Sequence, residues 1–198
     1  MKKMKGKGDS DDDLIRAAQN GKQEAFAELV ERYKTRAFKV VVGIVGRRDE
    51  ALDVVQESFV KAYYKLGEFR FGSNFYTWFY RLMVNQAIDR WRKINRSGEV
   101  PLDEAFLTEY ALPADFEGHP ATPEEILMSR ELQEIIRKEI AALPEHHRAV
   151  ILLREVEGMT YEEISKTLGC SIGTIMSRLH YAREKLKNAL GVSLEKLT

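Results

Sequence analysis

The sequence predicts an all-α protein made of two small helical domains joined by an acidic linker that contains prolines. Three observations lead there. Apolar residues recur at three- and four-residue steps along most of the 198-residue chain, and no strand-like alternation of useful length interrupts them. Four of the five prolines, Pro101, Pro113, Pro120 and Pro123, fall between Gly98 and Leu127 and break the helical period there. The same stretch holds eight acidic residues and no Lys or Arg, a formal charge of −8. Because 31 basic residues balance 31 acidic ones overall, the rest of the chain carries +8.

These shifts divide the chain into a flexible tail at 1–12, an amino-terminal domain at 13–97, the linker at 98–127, a carboxyl-terminal domain at 128–191 and a second tail at 192–198. In the first domain a short helix from Leu14 to Asn20 ends at Gly21, and Phe26, Leu29, Val30, Tyr33 and Ala37 mark one face of a longer helix. After a turn at Gly46, Asp49 can cap a third helix with an apolar face of Leu52, Val55, Phe59, Ala62, Tyr63 and Leu66. A fourth runs from about Thr77 to Ile94. In the second domain Leu132, Ile135, Ile136, Ile140 and Leu143 give a helix stopped by Pro144, and another spans Glu145 to Glu157 before Gly158. Thr160 and Glu163 form a capping-box pattern ahead of a short helix that reaches Leu168 and Gly169, and Ser171 can cap a last helix running to about Ala189.

No apolar run approaches the ~20 residues needed to cross a bilayer, and the longest, Val40 to Val45, is broken by Gly43. The lysines near the start lead into Asp11, Asp12 and Asp13 instead of an apolar signal core, so a cytoplasmic protein without membrane insertion is expected. A single cysteine, Cys170, excludes an intramolecular disulfide and reads as a packing residue. The histidines, His119, His146, His147 and His180, lie in no metal-ligand spacing. The adjacent His146 and His147 read as surface residues. With no phosphate loop, nucleophile elbow or zinc motif, the expectation is a protein that is not an enzyme and uses no cofactor and no metal.

Two segments carry basic charge that the neutral total conceals. The pair of helices around Gly169, with Tyr161, Ile164, Leu168, Ile172, Ile175 and Leu179 directed inward, has the arrangement of a helix-turn-helix, whose second helix fits the major groove of DNA. Thr174, Ser177, Arg178 and Tyr181 are left on or near its outward face. Between Arg70 and Arg96, six basic residues face one acid and are interleaved with Phe71, Phe75, Tyr76, Trp78, Phe79, Tyr80 and Trp91. Unpaired bases stack on rings while their phosphates demand cations, so this composition suits single-stranded nucleic acid. Phe75, Trp78, Phe79 and Leu82 also follow a core spacing. Asp53, Gln56, Glu57 and Lys61 recur on one side of the third helix, and a solvated face accounts for them.

Three motifs in order carry a family resemblance: Asp53, Gln56, Glu57 and Phe59; then Phe75, Trp78, Phe79, Arg81 and Asn85; then Leu143, Pro144, Tyr161, Ile164, Gly173, Thr174, Ser177 and Arg178. From about residue 12 to residue 190, except in the linker, the chain resembles the extracytoplasmic-function sigma factors, the compact two-domain initiation subunits of bacterial RNA polymerase. The resemblance implies region 2 in the first domain and region 4 in the second. It implies binding of polymerase core, through its beta and beta-prime subunits, by Asp53, Gln56, Glu57 and Phe59, against the solvated reading of that face. Minus-10 DNA would be met by Phe69, Arg81, Asn85, Asp89 and Arg92, with Asn85 lining the pocket for a flipped-out base. Minus-35 duplex would be met by Ser171, Thr174, Met176, Ser177, Arg178, His180 and Tyr181. Promoter DNA and an anti-sigma factor are the further partners implied. The chain departs from the pattern at Met176 and Tyr181, where relatives often carry cations, which weakens phosphate contact and shifts selection toward apolar contact such as thymine methyls. A stand-alone helix-turn-helix regulator binding duplex DNA is the alternative, but such a protein has no use for the aromatic cluster.

Strand opening without ATP requires tighter hold on the unpaired strand than on the duplex. The linker, at up to ~3.3 Å per residue, is long enough to span two promoter elements more than a helical turn apart. With eight acids it can fold back on the basic remainder in the isolated chain, or enter a basic channel of polymerase.

Overall fold

The computed structural model describes residues 9–72, 74–96, 115–116, 119–120 and 123–197, so the first eight residues of the predicted tail and most of the predicted linker lie outside the described residues. The fold is helical: α1 (Asp11–Gln19), α2 (Gln23–Val45), α3 (Arg48–Lys65) with a 3-10 turn at Leu66–Glu68, α4 (Phe75–Arg96), α5 (Pro123–Ala142), α6 (Glu145–Glu155), α7 (Tyr161–Leu168) and α8 (Ile172–Leu197). A small antiparallel hairpin stands where no strand was expected. β1 (Asp115–Phe116) pairs with β2 (His119–Pro120), Asp115 opposite Pro120 and Phe116 opposite His119.

Local chemistry sets the helix ends. Ser10 and Asp13 form a capping box: the Ser10 hydroxyl accepts from the Asp13 N–H at 3.2 Å and the Asp13 carboxylate accepts from the Ser10 N–H at 3.3 Å. The first helix therefore starts inside the segment read as tail. Gly46 closes α2 in the left-handed conformation, and the Asn74 side chain accepts from the Tyr76 N–H to open α4. Pro123 starts α5 ahead of the expected boundary, because its fixed φ suits the first helical position. The expected capping box at Thr160 and Glu163 is present. The last helix runs well past Ala189 into the segment read as a second tail. Gly191 costs about 1 kcal/mol in a helix, too little to end one.

The apolar run from Val40 to Val45 is buried on every side, which explains its composition without a membrane. That end of α2 lies among α3, α4 and α6. No helix among the described residues is long and apolar enough to cross one. In α3 the buried face is Ala51, Val54, Val55, Ser58, Phe59 and Ala62, rotated from the expected one. Leu52 and Tyr63 are 49% and 40% exposed, because small Ala51 and Ser58 take the close approach to neighbouring helices.

The two halves are packed together. Their buried residues form one continuous cluster, with α4 against α7 and α2 against α6. Side-chain contacts of Glu157, Arg148 and Arg92 tie them. The buried Glu157 carboxylate accepts from the Tyr76 hydroxyl at 2.8 Å and pairs with Arg36 at 2.7 Å, and burial pushes its pKa up. The Arg148 guanidinium donates to the carbonyls of Ile140 (3.0 Å), Ala141, Leu143 (2.9 Å) and, across the junction, Ile44 (2.8 Å), beneath the Trp91 ring. It thereby satisfies the last carbonyls of α5, and burial lowers its pKa to about 10. Arg92 pairs with Glu145 at 3.0 Å.

Candidate nucleic-acid interface

Two helices carry the candidate surfaces, and their rings and cations are used differently. Along α4, Phe75, Tyr76, Phe79 and Tyr80 are core residues, whereas Trp78 and Trp91 are half-buried. Phe59, expected at the polymerase surface, is buried and stacks on Phe79 with centroids 4.4 Å apart. Phe69, expected at minus-10 DNA, is only 4% exposed and meets the edges of Phe71, Phe75 and Trp78 at 5.4–6.0 Å. In this conformation neither side chain reaches the surface. Stacking among neighbouring rings takes the faces that bases would use. Phe71 stands at the surface with the Arg16 guanidinium over its ring, 3.9 Å from the centroid.

What α4 offers outward is a row at four-residue steps: Arg81, Asn85 and Asp89, all exposed. The Asn85 side chain makes no hydrogen bond among the described residues. Arg92, one position off that row, is bound to Asp89 (3.7 Å) and Glu145, and Arg90 holds Glu50 and Glu57. On α3, Asp53, Gln56 and Glu57 are exposed, with Glu57 already engaged by Arg90 and Gln86. Val60 and the 81% exposed Tyr64 extend this side of the helix, a continuation legible in their spacing but absent from the expected set.

The second surface is the amino-terminal half of α8. Gly169 turns the chain at φ +64°, and the Ser171 hydroxyl accepts from the Thr174 N–H at 3.1 Å, so the expected cap is formed. Ile175, Leu179 and Ala182 lock the helix into the core. Outward stand Met176, Ser177, His180 and Tyr181, with Arg178 half-buried and its guanidinium 3.8 Å from the Cys170 sulfur. Ile172, expected to point inward, is 40% exposed, because the first turn of α8 projects beyond α7. The Tyr181 ring lies 4.7 Å from that of His147, and Arg183 is tied to Glu155 at 2.7 Å.

His146 and His147 are not surface residues. Pro144 opens α6 so that both fall in its first turn, half-buried between α4 and α8, where the Nδ1 atoms have no hydrogen-bond partner. Burial, assisted by Arg178, holds both imidazoles below their ordinary pKa of 6.5. Among the described residues no group of three or more His, Cys, Asp or Glu converges to hold a metal ion.

Residues 29–97 match the family Sigma-70 region 2, and residues 133–186 match Sigma-70, region 4. The ECF RNA polymerase sigma-E factor of Haemophilus influenzae is 39% identical over 184 residues, covering 91% of this chain and 95% of that one. The chain belongs to the ECF sigma factors. Two solved structures share the fold. CnrH, in complex with the cytosolic domain of CnrY, superposes with a TM-score of 0.69 at 24% identity over 93% of this chain and 99% of its own. The sigma factor RpoE of Bartonella quintana, in complex with the anti-sigma factor NepR, gives 0.60 at 26% identity over 88% and 98%. The exposed rows on α4 and α8 thus fall one in each matched region of this sigma factor, and the contacts of Tyr76, Arg92, Arg148 and Glu157 join the two regions.

Proposed function

We propose that this sigma factor directs RNA polymerase core to its promoters by reading the minus-35 element as duplex with α8 and holding the unpaired minus-10 strand on α4. The observation that supports this best is the pair of exposed rows on two basic helices of one chain, each within its own matched region. On α4, Arg81 and Arg92 meet phosphates and Asn85 receives an extruded base. The buried rings beneath them keep the helix stiff, and the half-buried Trp78 and exposed Phe71 remain for stacking at ~1–3 kcal/mol per base. Two such contacts offset an unstacking cost of a few kcal/mol. On α8, Ser171, Thr174, Ser177 and Arg178 face the duplex. Asp53, Gln56 and Glu57, extended by Val60 and Tyr64, bind polymerase core, and Phe59 supports them from beneath. The protein is not an enzyme, and it works in the cytoplasm with the polymerase. An anti-sigma factor is a further partner, by analogy with the Bartonella quintana complex.

Promoter elements more than one turn apart are over ~34 Å apart, so the packed halves must separate on DNA. The isolated chain accordingly binds promoter DNA poorly, and core restores binding; equal affinity with and without core refutes this. Run-off transcription with purified core tests the whole assignment. Asn85→Ala lowers open-complex formation about tenfold while leaving core binding intact, and unchanged transcription removes Asn85 from the site.

A further inference from the structure

The outward face of α8 is poorer in polar readers than its sequence implies. The Ser171 hydroxyl is taken up by the Thr174 N–H and by the Thr174 hydroxyl at 2.9 Å, and the Ser177 hydroxyl donates to the Thr174 carbonyl at 3.0 Å. Arg178 is half-buried beside Cys170, and Tyr181 leans on His147 with the Lys185 ammonium 6.0 Å above its ring. Two large apolar side chains remain at the end of the helix that enters a groove first: Ile172 and Met176, 40% and 54% exposed. Four residues apart, they are neighbours on one face. Gly173 beside them adds no side chain to crowd the approach.

Aliphatic side chains cannot choose among hydrogen-bonding edges. In the major groove they discriminate through the thymine C5-methyl, the one apolar group that a base pair presents there. The cations that hold a polyanion lie further along the same helix, at Lys185 and Lys187, both exposed. We propose that Ile172 and Met176 form an apolar reading edge that selects thymine methyls in the minus-35 duplex, a specificity-determining pair beside the hydroxyls and Arg178 at this end of the helix. This rests on the assignment of α8 to duplex DNA. It differs from the sequence expectation in its residues, since Ile172 joins Met176, while Tyr181, 42% exposed, rests its ring against His147 of α6.

The test uses holoenzyme and a duplex library randomised over the minus-35 element. Wild type enriches an A·T pair at one or more fixed positions. Replacing the selected thymine by deoxyuracil, which removes only the methyl, weakens binding about fourfold, the factor expected for one buried carbon. Met176→Ala and the double variant with Ile172→Ala lose that methyl dependence while melting close to wild type, since neither side chain belongs to the buried core. A deoxyuracil scan that is flat for wild type overturns the inference, as do variants that keep the full methyl effect. Arg178→Ala separates the two levels. If it weakens minus-35 binding while the methyl scan is flat, the duplex assignment stands and the apolar edge falls. If neither has any effect, α8 does not read the duplex.

Discussion

α4 and α8 are both basic helices assigned to nucleic acid, yet they spend their side chains in opposite ways. On α4 Phe75, Tyr76, Phe79 and Tyr80 are core, and Arg90 and Arg92 are already bound to acids of α3, α4 and α6. On α8 the core is a narrow stripe of Ile175, Leu179 and Ala182, and much of the remaining surface faces water. The difference teaches that a nucleic-acid surface can be ready-made or held in reserve. On the proposed reading, α8 needs only an approaching duplex, whereas α4 requires the local partners of Arg90 and Arg92 to let go. Ordering a helix this way costs little in the isolated chain, because Arg90 and Arg92 each have a counter-charge to exchange for a phosphate.

The comparison breaks most visibly if the junction is cut. Arg148→Ala removes donors from the carbonyls of Ile140, Ala141, Leu143 and Ile44, and destabilises the carboxyl-terminal half by about 3 kcal/mol or more in urea unfolding. The half carrying α8 then unfolds before the aromatic core of α4, and a single concerted transition of unchanged midpoint contradicts this. Tyr76→Phe takes one donor from the buried Glu157 carboxylate and loosens the halves by about 1–2 kcal/mol. The expected readout is faster hydrogen exchange along α4 and stronger single-strand binding by the isolated chain, with α8 unaffected. Thr160→Ala acts on the other side of the comparison. Loss of the capping box costs about 1 kcal/mol, seen in the melting of α7 and α8 but not in exchange along α4.

The smallest effect is a pH dependence. His146 and His147, facing Arg92, Glu145 and Arg178, have pKa values lowered in the folded chain, so the folded state binds fewer protons there than the unfolded one. Their contribution is complete above 6.5 and is lost as pH falls through the lowered values. Glu157, with a raised pKa, works in the opposite sense: it stabilises in acid and loses that contribution as pH rises through its folded value. Replacing both histidines by Gln therefore flattens the acid-side loss in a thermal-melt series, and an identical profile rules the histidines out.

Much of this was legible from the chain. The capping box at Thr160, the turn at Gly169 and the cap at Ser171 are local chemistry, and local chemistry reads directly. The basic charge of α4 was equally plain, but the burial of its rings was not. Phe75, Tyr76, Phe79 and Tyr80 occupy more than one face of the helix, and only knowledge that α2, α3 and α7 surround it tells which faces are covered. The histidine pair failed as a surface reading for the same reason, since its neighbours come from α4 and α8, far away in sequence. Asn85 became a candidate through family likeness alone. Nothing in its immediate neighbours distinguishes it from any solvated amide.

The bond from Arg148 to Ile44 reaches main chain, not a side chain. A carbonyl is supplied by whichever residue occupies the position, so this clasp survives drift in α2 provided that the helix keeps its course. The dependence is one-sided: a substitution at position 44 leaves the acceptor in place, whereas loss of the single guanidinium disarms the clasp.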